Sequence, residues 1–421
     1  MSARTALEKS GEENTMRILS VHNRYQIRGG EDESREAEER LLRDRGHHVD
    51  VYEQNNEKIS ELGKVQVALR TIWSHQTYRS VRKILQNDRY DLIHVQNFFP
   101  LISPSVYYAA ASVGVPVVQT LRNYRLLCPN AQFFREGKIC EDCMGKTIPL
   151  PGIVRGCYRG NRAGSAAVAA MIATHRGLGT WTKMVDCYIA ISQFAKAKLL
   201  EGGLPEGKMV VKPNFVAPDP GIGTGSGGYA LFVGRLSHEK GLGTLLDAWK
   251  RLSAPIPLKI VGEGPKADEV RQLSQAIPQV EWLGRQPLAE VYRLMGEARF
   301  LVFPSEWYET FGRVAVEAFA KGTPAIAANI GAISELVDPG RTGLLFQPGD
   351  AADLARQVEW ILDRPEEGAK MRAAARAEFE AKYTEEENYH QLIRIYQQVL
   401  ASRQNREHRA IEVISNSRSL S

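Results

Sequence analysis

The sequence predicts an α/β protein made of two parallel-sheet domains that face each other across a cleft. Three observations carry this. The chain has 421 residues, 43% of them hydrophobic and 24% charged, more than one ordinary core organises. Short β-branched or leucine-rich runs alternate with amphipathic segments, the pattern of parallel strands covered by helices. That alternation occurs twice, and between the two series lies NFVAPDPGIGTGSGG, residues 214–228, where proline and glycine crowd together without hydrophobic periodicity and mark a linker.

The first series occupies residues 16–213. It opens with MRILSVH and continues into EDESREAEERLLRDRG, whose early carboxylates favour a helix N-terminus and whose glycine suits its end. HHVDVYE is the next strand, and a long helical stretch runs to Ile84. YDLIHVQN, a helix from about Ser103, VPVVQTL and VDCYIAIS follow, and KMVVKP closes the series. The second series, residues 229–385, runs YALFVGR, a helix from about Leu242, PLKIVGEG, a helix after Pro265, VEWLG, a helix near Ala289 to Ala298, RFLVFPS, a helix from about Phe311, and TPAIAAN. Residues 386–403 form a last helix, expected to pack back across both domains. Residues 1–15 and 404–421 read as disordered tails on composition.

No apolar run approaches the roughly 20 residues that cross a bilayer, and the polar start lacks the parts of a secretory signal. A cytoplasmic protein is expected. A formal net charge of +5 with a pI near 8.8 is too modest to argue for nucleic acid. Its distribution says more, because between Met144 and Val185 six cations occur with no acidic side chain. That stretch reads either as a solvated basic face or as a contact for an anionic membrane surface or a phosphate-bearing acceptor. Four of the five cysteines, Cys128, Cys140, Cys143 and Cys157, fall in one insertion, whereas Cys187 sits in an apolar run and reads as core. In a reducing compartment the four suit a structural zinc, but only the inner pair has finger-like spacing, so unligated buried thiols are the equal alternative.

In open parallel sheets ligands bind beyond the carboxyl ends of the strands, so VGR, VGEGP, LGR and FPSEWYETFG should converge on one pocket. In the last of these, Thr310 is a good N-cap and Gly312 permits close approach, so the amides of Phe311, Gly312 and Arg313 are expected to bind an anion. Glu309 stands at the mouth and Glu317 about two turns along, placed to hydrogen-bond separate parts of an extended polyhydroxylated ligand. In VGRLSHEKG, Gly234 frees the turn, and Arg235 and Lys240 supply two cations able to neutralise a diphosphate as it departs. Gly262 and Gly264 form a tight turn near a base or ribose. His22, Asn97 and Arg122, each just past a strand end of the first series, are candidates on the acceptor side, although a lone polar residue there also serves as a cap.

Taken together, Arg28-Gly-Gly-Glu31, GRLSHEKG, VGEGP, FPSEWYETFGRVAVEA with its two glutamates and KGTPAIAANIGAISELVDPGRTGLLFQPGD resemble glycosyltransferase family 4 over nearly the whole chain. The resemblance implies the twin-Rossmann GT-B fold and transfer of a sugar from a UDP- or GDP-linked donor with retention, as in bacterial polysaccharide enzymes, without a catalytic metal or other cofactor. Residue by residue, it implies that Glu309 contacts the donor sugar, Glu317 the ribose, and Arg235 and Lys240 the diphosphate. Gly29 and Gly30 would let the first domain approach the donor phosphates from the opposite wall. One departure stands out: relatives often carry histidine where this chain has Arg122, which stays charged and cannot act as a base, so an anionic acceptor group is expected there. The resemblance further implies a saccharide acceptor, and the compartment and basic stretch a lipid-linked one met at the inner face of a membrane. A non-catalytic nucleotide-sugar-binding or scaffold protein and a sugar-nucleotide epimerase remain as alternatives. A dinucleotide-dependent oxidoreductase is disfavoured because VHNRYQIRGGED lacks the G-x-G-x-x-G fingerprint.

Overall fold

A computed structural model describes residues 15–26 and 29–418, with side chains described as far as 405. Two six-stranded sheets form the frame. The first contains β1 (Arg17–Arg24), β2 (His48–Asn55), β3 (Leu92–Asn97) and β4 (Val117–Leu121). A two-stranded antiparallel hairpin, β5 (Phe134–Arg135) with β6 (Lys138–Ile139), interrupts the series before β7 (Cys187–Ala190) and β8 (Met209–Val211) complete the sheet. The second contains β9 (Ala230–Val233), β10 (Leu258–Val261), β11 (Val280–Gly284), β12 (Phe300–Phe303), β13 (Ala325–Ala328) and β14 (Gly343–Phe346). The orders are β2-β1-β3-β4-β7-β8 and β11-β10-β9-β12-β13-β14, with every recorded pairing in both sheets parallel. This is the twin-Rossmann architecture expected of the sequence.

The strand chemistry explains the layers. Strands covered by helices on both faces lose the alternation of half-exposed strands. Accordingly β3, β4, β12 and β13 are buried at every residue, whereas the edge strand β2 is buried only at Val49. Besides the β5–β6 hairpin, one strand of the two main sheets was not legible as such: β14 is four residues between a turn and a loop, and Gly343 at its start lies so near β13 that a β-carbon there would meet the Ala325 carbonyl oxygen at 2.0 Å. The long helical stretch expected before Ile84 is divided into Lys64–Ile72 and His75–Asn87, because Ser74 between them accepts from the Thr77 amide and starts a new helix.

The last helix runs Glu385–Arg418, past residue 403, through a stretch that contains neither glycine nor proline to stop it. It lies against the first domain. Its Tyr389 and Tyr396 are fully buried there, with hydroxyls 2.9 Å from His47 Nε2 and 2.7 Å from His94 Nδ1. The expected tail of residues 1–15 falls outside the described residues up to position 14.

Candidate functional site

In the second sheet the strand order reverses between β9 and β12, and a crevice opens beyond the carboxyl ends of neighbouring strands at such a switch. The crevice here is a cleft of about 470 Å³. The turn after β9 supplies Gly234, Arg235 and Lys240, and the loop after β12 supplies Ser305, Trp307 and Glu309. Arg313 and Glu317 come from the helix Arg313–Ala320, while Gly30, Glu31 and Glu33 of the first domain form the facing wall.

Glu309 is only 8% exposed, and Oε1 takes its hydrogen bonds: from the Lys240 ammonium, from Ser305 Oγ at 3.0 Å and from Trp307 Nε1 at 2.9 Å. Lys240 in turn stands 5.7 Å from the ring centroids of both Phe303 and Trp307. A carboxylate and an ammonium are thus fixed against an apolar wall at the mouth of the cleft. Deeper in, Arg313 Nε donates to Glu317 Oε1 at 2.9 Å, and its Nη1 reaches Glu33 at 3.1 Å and the Gly30 carbonyl at 3.4 Å across the cleft. Burial pushes the Glu317 carboxyl pKa upward against the pull of Arg313. Arg235 is exposed, and among the described residues no carboxylate pairs with it.

Several expected roles are altered by the local backbone. Thr310 does not cap the helix; Gly312 does, at φ +106°, a conformation L side chains rarely adopt, and a β-carbon there would press on Ile333 and Leu336 at 3.0 Å. The Thr310 hydroxyl instead donates to the Arg122 carbonyl at 2.9 Å, and its own carbonyl accepts from Ser192 Oγ at 2.8 Å, joining the domains. Phe311 turns its ring into the core against Tyr383. Gly262 and Gly264 do not line the cleft: at φ +142°, Gly262 packs so tightly beneath the β9 turn that a β-carbon would meet the Gly234 carbonyl oxygen at 1.9 Å, and Gly264 sits similarly against Leu236. Gly30 lines the cleft, whereas Gly29 caps helix Gly30–Asp44, its amide bound to Asp32 at 3.1 Å. Arg28 lies outside the described residues.

The acceptor-side candidates are held inside the first domain. His22 is fully buried with Nε2 2.8 Å from Asp32, and Asn97 spends its side chain on the Asn23 carbonyl and the Phe99 amide. Arg122 is not a free cation: its side chain is 5% exposed and bound to Gln96 and, at 3.5 Å, to Glu38. Glu38 also pairs with Lys212 at 2.8 Å, and the two cations with nearby His94 hold its carboxyl far below the usual range. Any anion at Arg122 would have to compete with this buried carboxylate. The sequence reading missed Glu38, one carboxylate among many in EDESREAEERLLRDRG, and Lys212, whose only signal was a lone charge after the apolar run MVV. It also passed over Glu31 as a site residue. Glu31 lines both the cleft and a smaller cavity of about 20 Å³ shared with Asn97, Phe99, Arg122 and Arg125; Tyr25 donates to it at 3.0 Å, and burial raises its pKa.

Cys128, Cys140, Cys143 and Cys157 do meet around one small cavity, as free thiols. Cys128 and Cys143 are buried and Cys140 and Cys157 half-buried, and among the described residues no group of three or more His, Cys, Asp or Glu is arranged to hold a metal ion. Burial raises the Cys143 pKa to about 11, which keeps its sulfur protonated.

Facing parallel sheets with a charged cleft at the second switch point make up the twin-Rossmann GT-B architecture, and the two halves of the chain resemble glycosyltransferase families. Residues 39–220 match the family described as Glycosyltransferase Family 4, and residues 225–378 match Glycosyl transferases group 1. A glycogen synthase of Mycobacterium tuberculosis is 38% identical over 152 residues, 35% of this chain and 36% of that protein. An uncharacterized glycosyltransferase of Methanocaldococcus jannaschii is 29% identical over 216 residues, 51% and 60% of the two chains. The chain thus spans between about a third and three-fifths of these curated relatives' lengths. Among solved structures, Anabaena HepE in complex with UDP and glucose superposes with a TM-score of 0.64 at 20% identity, covering 92% of this chain and 99% of that one.

Proposed function

We propose that this chain transfers a glycosyl group from a nucleoside diphosphate sugar to a saccharide hydroxyl with retention at the anomeric carbon. The observation that carries the reading is one cleft holding Arg235 and Lys240 beside Glu309, with Glu317 deeper in. The cations hold the diphosphate, Glu309 orients the sugar, and Glu317 takes the ribose hydroxyls. As the bond between the anomeric carbon and the diphosphate oxygen breaks, its electron pair leaves with the diphosphate, and Arg235 and Lys240 stabilise the charge that develops. The acceptor oxygen bonds to the same carbon from the face just vacated, and its proton passes to the departing phosphate oxygen. The two side-chain cations supply the charge a divalent metal supplies elsewhere, so this reading includes no cofactor. UDP is the first nucleotide to test, since HepE is seen with it.

The acceptor is read as lipid-linked, in cell-surface polysaccharide assembly at the inner face of a membrane. Among the described residues no helix is long and apolar enough to cross a membrane, so contact would be peripheral. The experiment is binding and slow hydrolysis of UDP-, GDP- and ADP-sugars by the wild type, Glu309→Ala and Lys240→Ala. Binding of one donor that weakens in both variants supports the transferase. No binding by the wild type would leave the scaffold alternative as the better account, and conversion of the donor sugar without any acceptor would favour an epimerase.

A further inference from the structure

The basic stretch noted in the sequence acquires a neighbour in the fold. Residues 62–87 also contain no aspartate or glutamate, and carry Lys64, Arg70, Arg79, Arg82 and Lys83. The structure sets the two acid-free stretches side by side: the carbonyl of Ile72, ending helix Lys64–Ile72, lies 2.9 Å from His175 Nε2 on helix Arg162–Gly177. The next residue, Arg176, reaches to the other flank and holds the Lys146 carbonyl. Helix Lys64–Ile72, helix Arg162–Gly177 and the segment from Lys146 through helix Leu150–Val154 therefore form one continuous surface.

That surface exposes apolar side chains to an extent the rest of the molecule does not. Of the nine large hydrophobic residues exposed among those described, six lie here: Val65 at 74%, Leu69 at 63%, Val154 at 58%, Ile148 and Leu150 at 57% and Leu178 at 55%. Val65 and Leu69 are four residues apart and so share a helix face. Between the two flanks, the exposed or half-buried positions 163, 166, 167, 170, 173 and 177 of helix Arg162–Gly177 are five alanines and a glycine, beside which stand the exposed Arg162 and Thr174. Exposed cations rim this strip, Lys64 on one side and Lys146, Arg155 and Arg159 on the other, Arg155 being shared with Asp142.

We infer that this face docks on an anionic lipid bilayer, a surface that the proposed lipid-linked acceptor presupposes and on whose reading the inference rests. Nucleic acid would use the cations and leave six apolar side chains in water. A bilayer takes both, because apolar side chains enter the boundary between headgroups and acyl chains while each cation is attracted to the anionic surface. The face also leads to the acceptor-side cavity. Tyr158, between helices Leu150–Val154 and Arg162–Gly177, packs its ring against Phe99 at 5.6 Å and under the Arg125 guanidinium at 5.3 Å, and both line that cavity.

The test is co-sedimentation of the full chain with vesicles of phosphatidylcholine alone and of phosphatidylcholine with phosphatidylglycerol, at low and high salt. Parallel samples use Val65→Asp/Leu69→Asp and, as a control for an exposed leucine elsewhere, Leu288→Asp. The expected result is binding at least about tenfold stronger to the anionic vesicles, weakened by salt, lost about tenfold in the double variant and kept in the control. Equal and weak recovery with both vesicle types, or an unchanged double variant, overturns the inference. So does a dimer in solution that the double variant abolishes, because the face would then belong to a second copy. Binding of UDP-sugar by the same proteins without vesicles separates the two readings: its absence fails the transferase, while vesicle binding stands or falls independently.

Discussion

The two sheets have the same strand count and direction, but their switch points are furnished differently. At the second, the strand ends open on a cleft where Arg235 has no carboxylate partner among the described residues and where Lys240 and Glu309 meet at the mouth. At the first, the strand ends are filled: His22 with Asp32, Asn97 with Asn23, and Arg122 and Lys212 on Glu38, all buried. One topology therefore serves as a ligand crevice or as a polar keystone, according to whether its charges are satisfied by the chain itself. Position beyond a strand end nominates a residue, and what occupies its hydrogen-bonding atoms decides its use.

The comparison can be broken first at the keystone. Lys212→Met leaves Glu38 buried against a diminished set of cations and should cost about 3–5 kcal/mol, read as a lower midpoint in denaturant unfolding with donor affinity per folded molecule unchanged. Lys240→Ala should do the reverse. Turnover should fall on the order of 10²–10³-fold, as when one stabiliser of developing charge is removed, with the unfolding midpoint nearly unmoved. If both variants lost stability alone, the cleft would be no more functional than the keystone.

A third contrast is with pH. Burial pushes the His94 pKa down to about 4, against an ordinary value near 6.5. Below pH 6.5 the unfolded chain takes up a proton that the folded chain refuses until about pH 4, so stability is complete above that window and falls as pH drops through it, by up to about 3 kcal/mol. Glu38, also depressed in the folded state, adds a loss of the same sign at more acid pH. Stability curves of the wild type and His94→Gln between pH 7 and 4 should converge toward the acid end. The smallest expected effect is Thr310→Val, which removes one hydroxyl bond between the domains and should cost about 1 kcal/mol, seen as a small shift in melting temperature.

Most of the frame was legible because parallel strands announce themselves as apolar runs between glycine-bearing turns. The β14 strand escaped because four residues carry too little pattern. The cleft was legible too: Arg235, Lys240, Glu309, Arg313 and Glu317, read from separate strand and helix ends, converge in one place. The partners that hold the first-domain candidates are ones no spacing reveals. Whether Arg122 faces a ligand or a carboxylate depends on Glu38, 84 residues away, and on Lys212 beyond it. Gly262 was likewise assigned to a ligand when its neighbour is the backbone of Gly234, a contact made only by folding.

The return of the last helix to the first domain has a mechanical meaning. The chain crosses between the domains once on the way out, near Val216, and once on the way back, near Tyr383, and these two crossings are joined by the Val216 amide donating to the Tyr383 carbonyl at 3.1 Å. A single tether would let one half swivel in any direction. Two tethers fastened side by side behave as the pins of a door, permitting rotation about one line and resisting twist. The alignment of the faces that carry Glu31 and Lys240 is thereby held by two crossings of the chain and not by one.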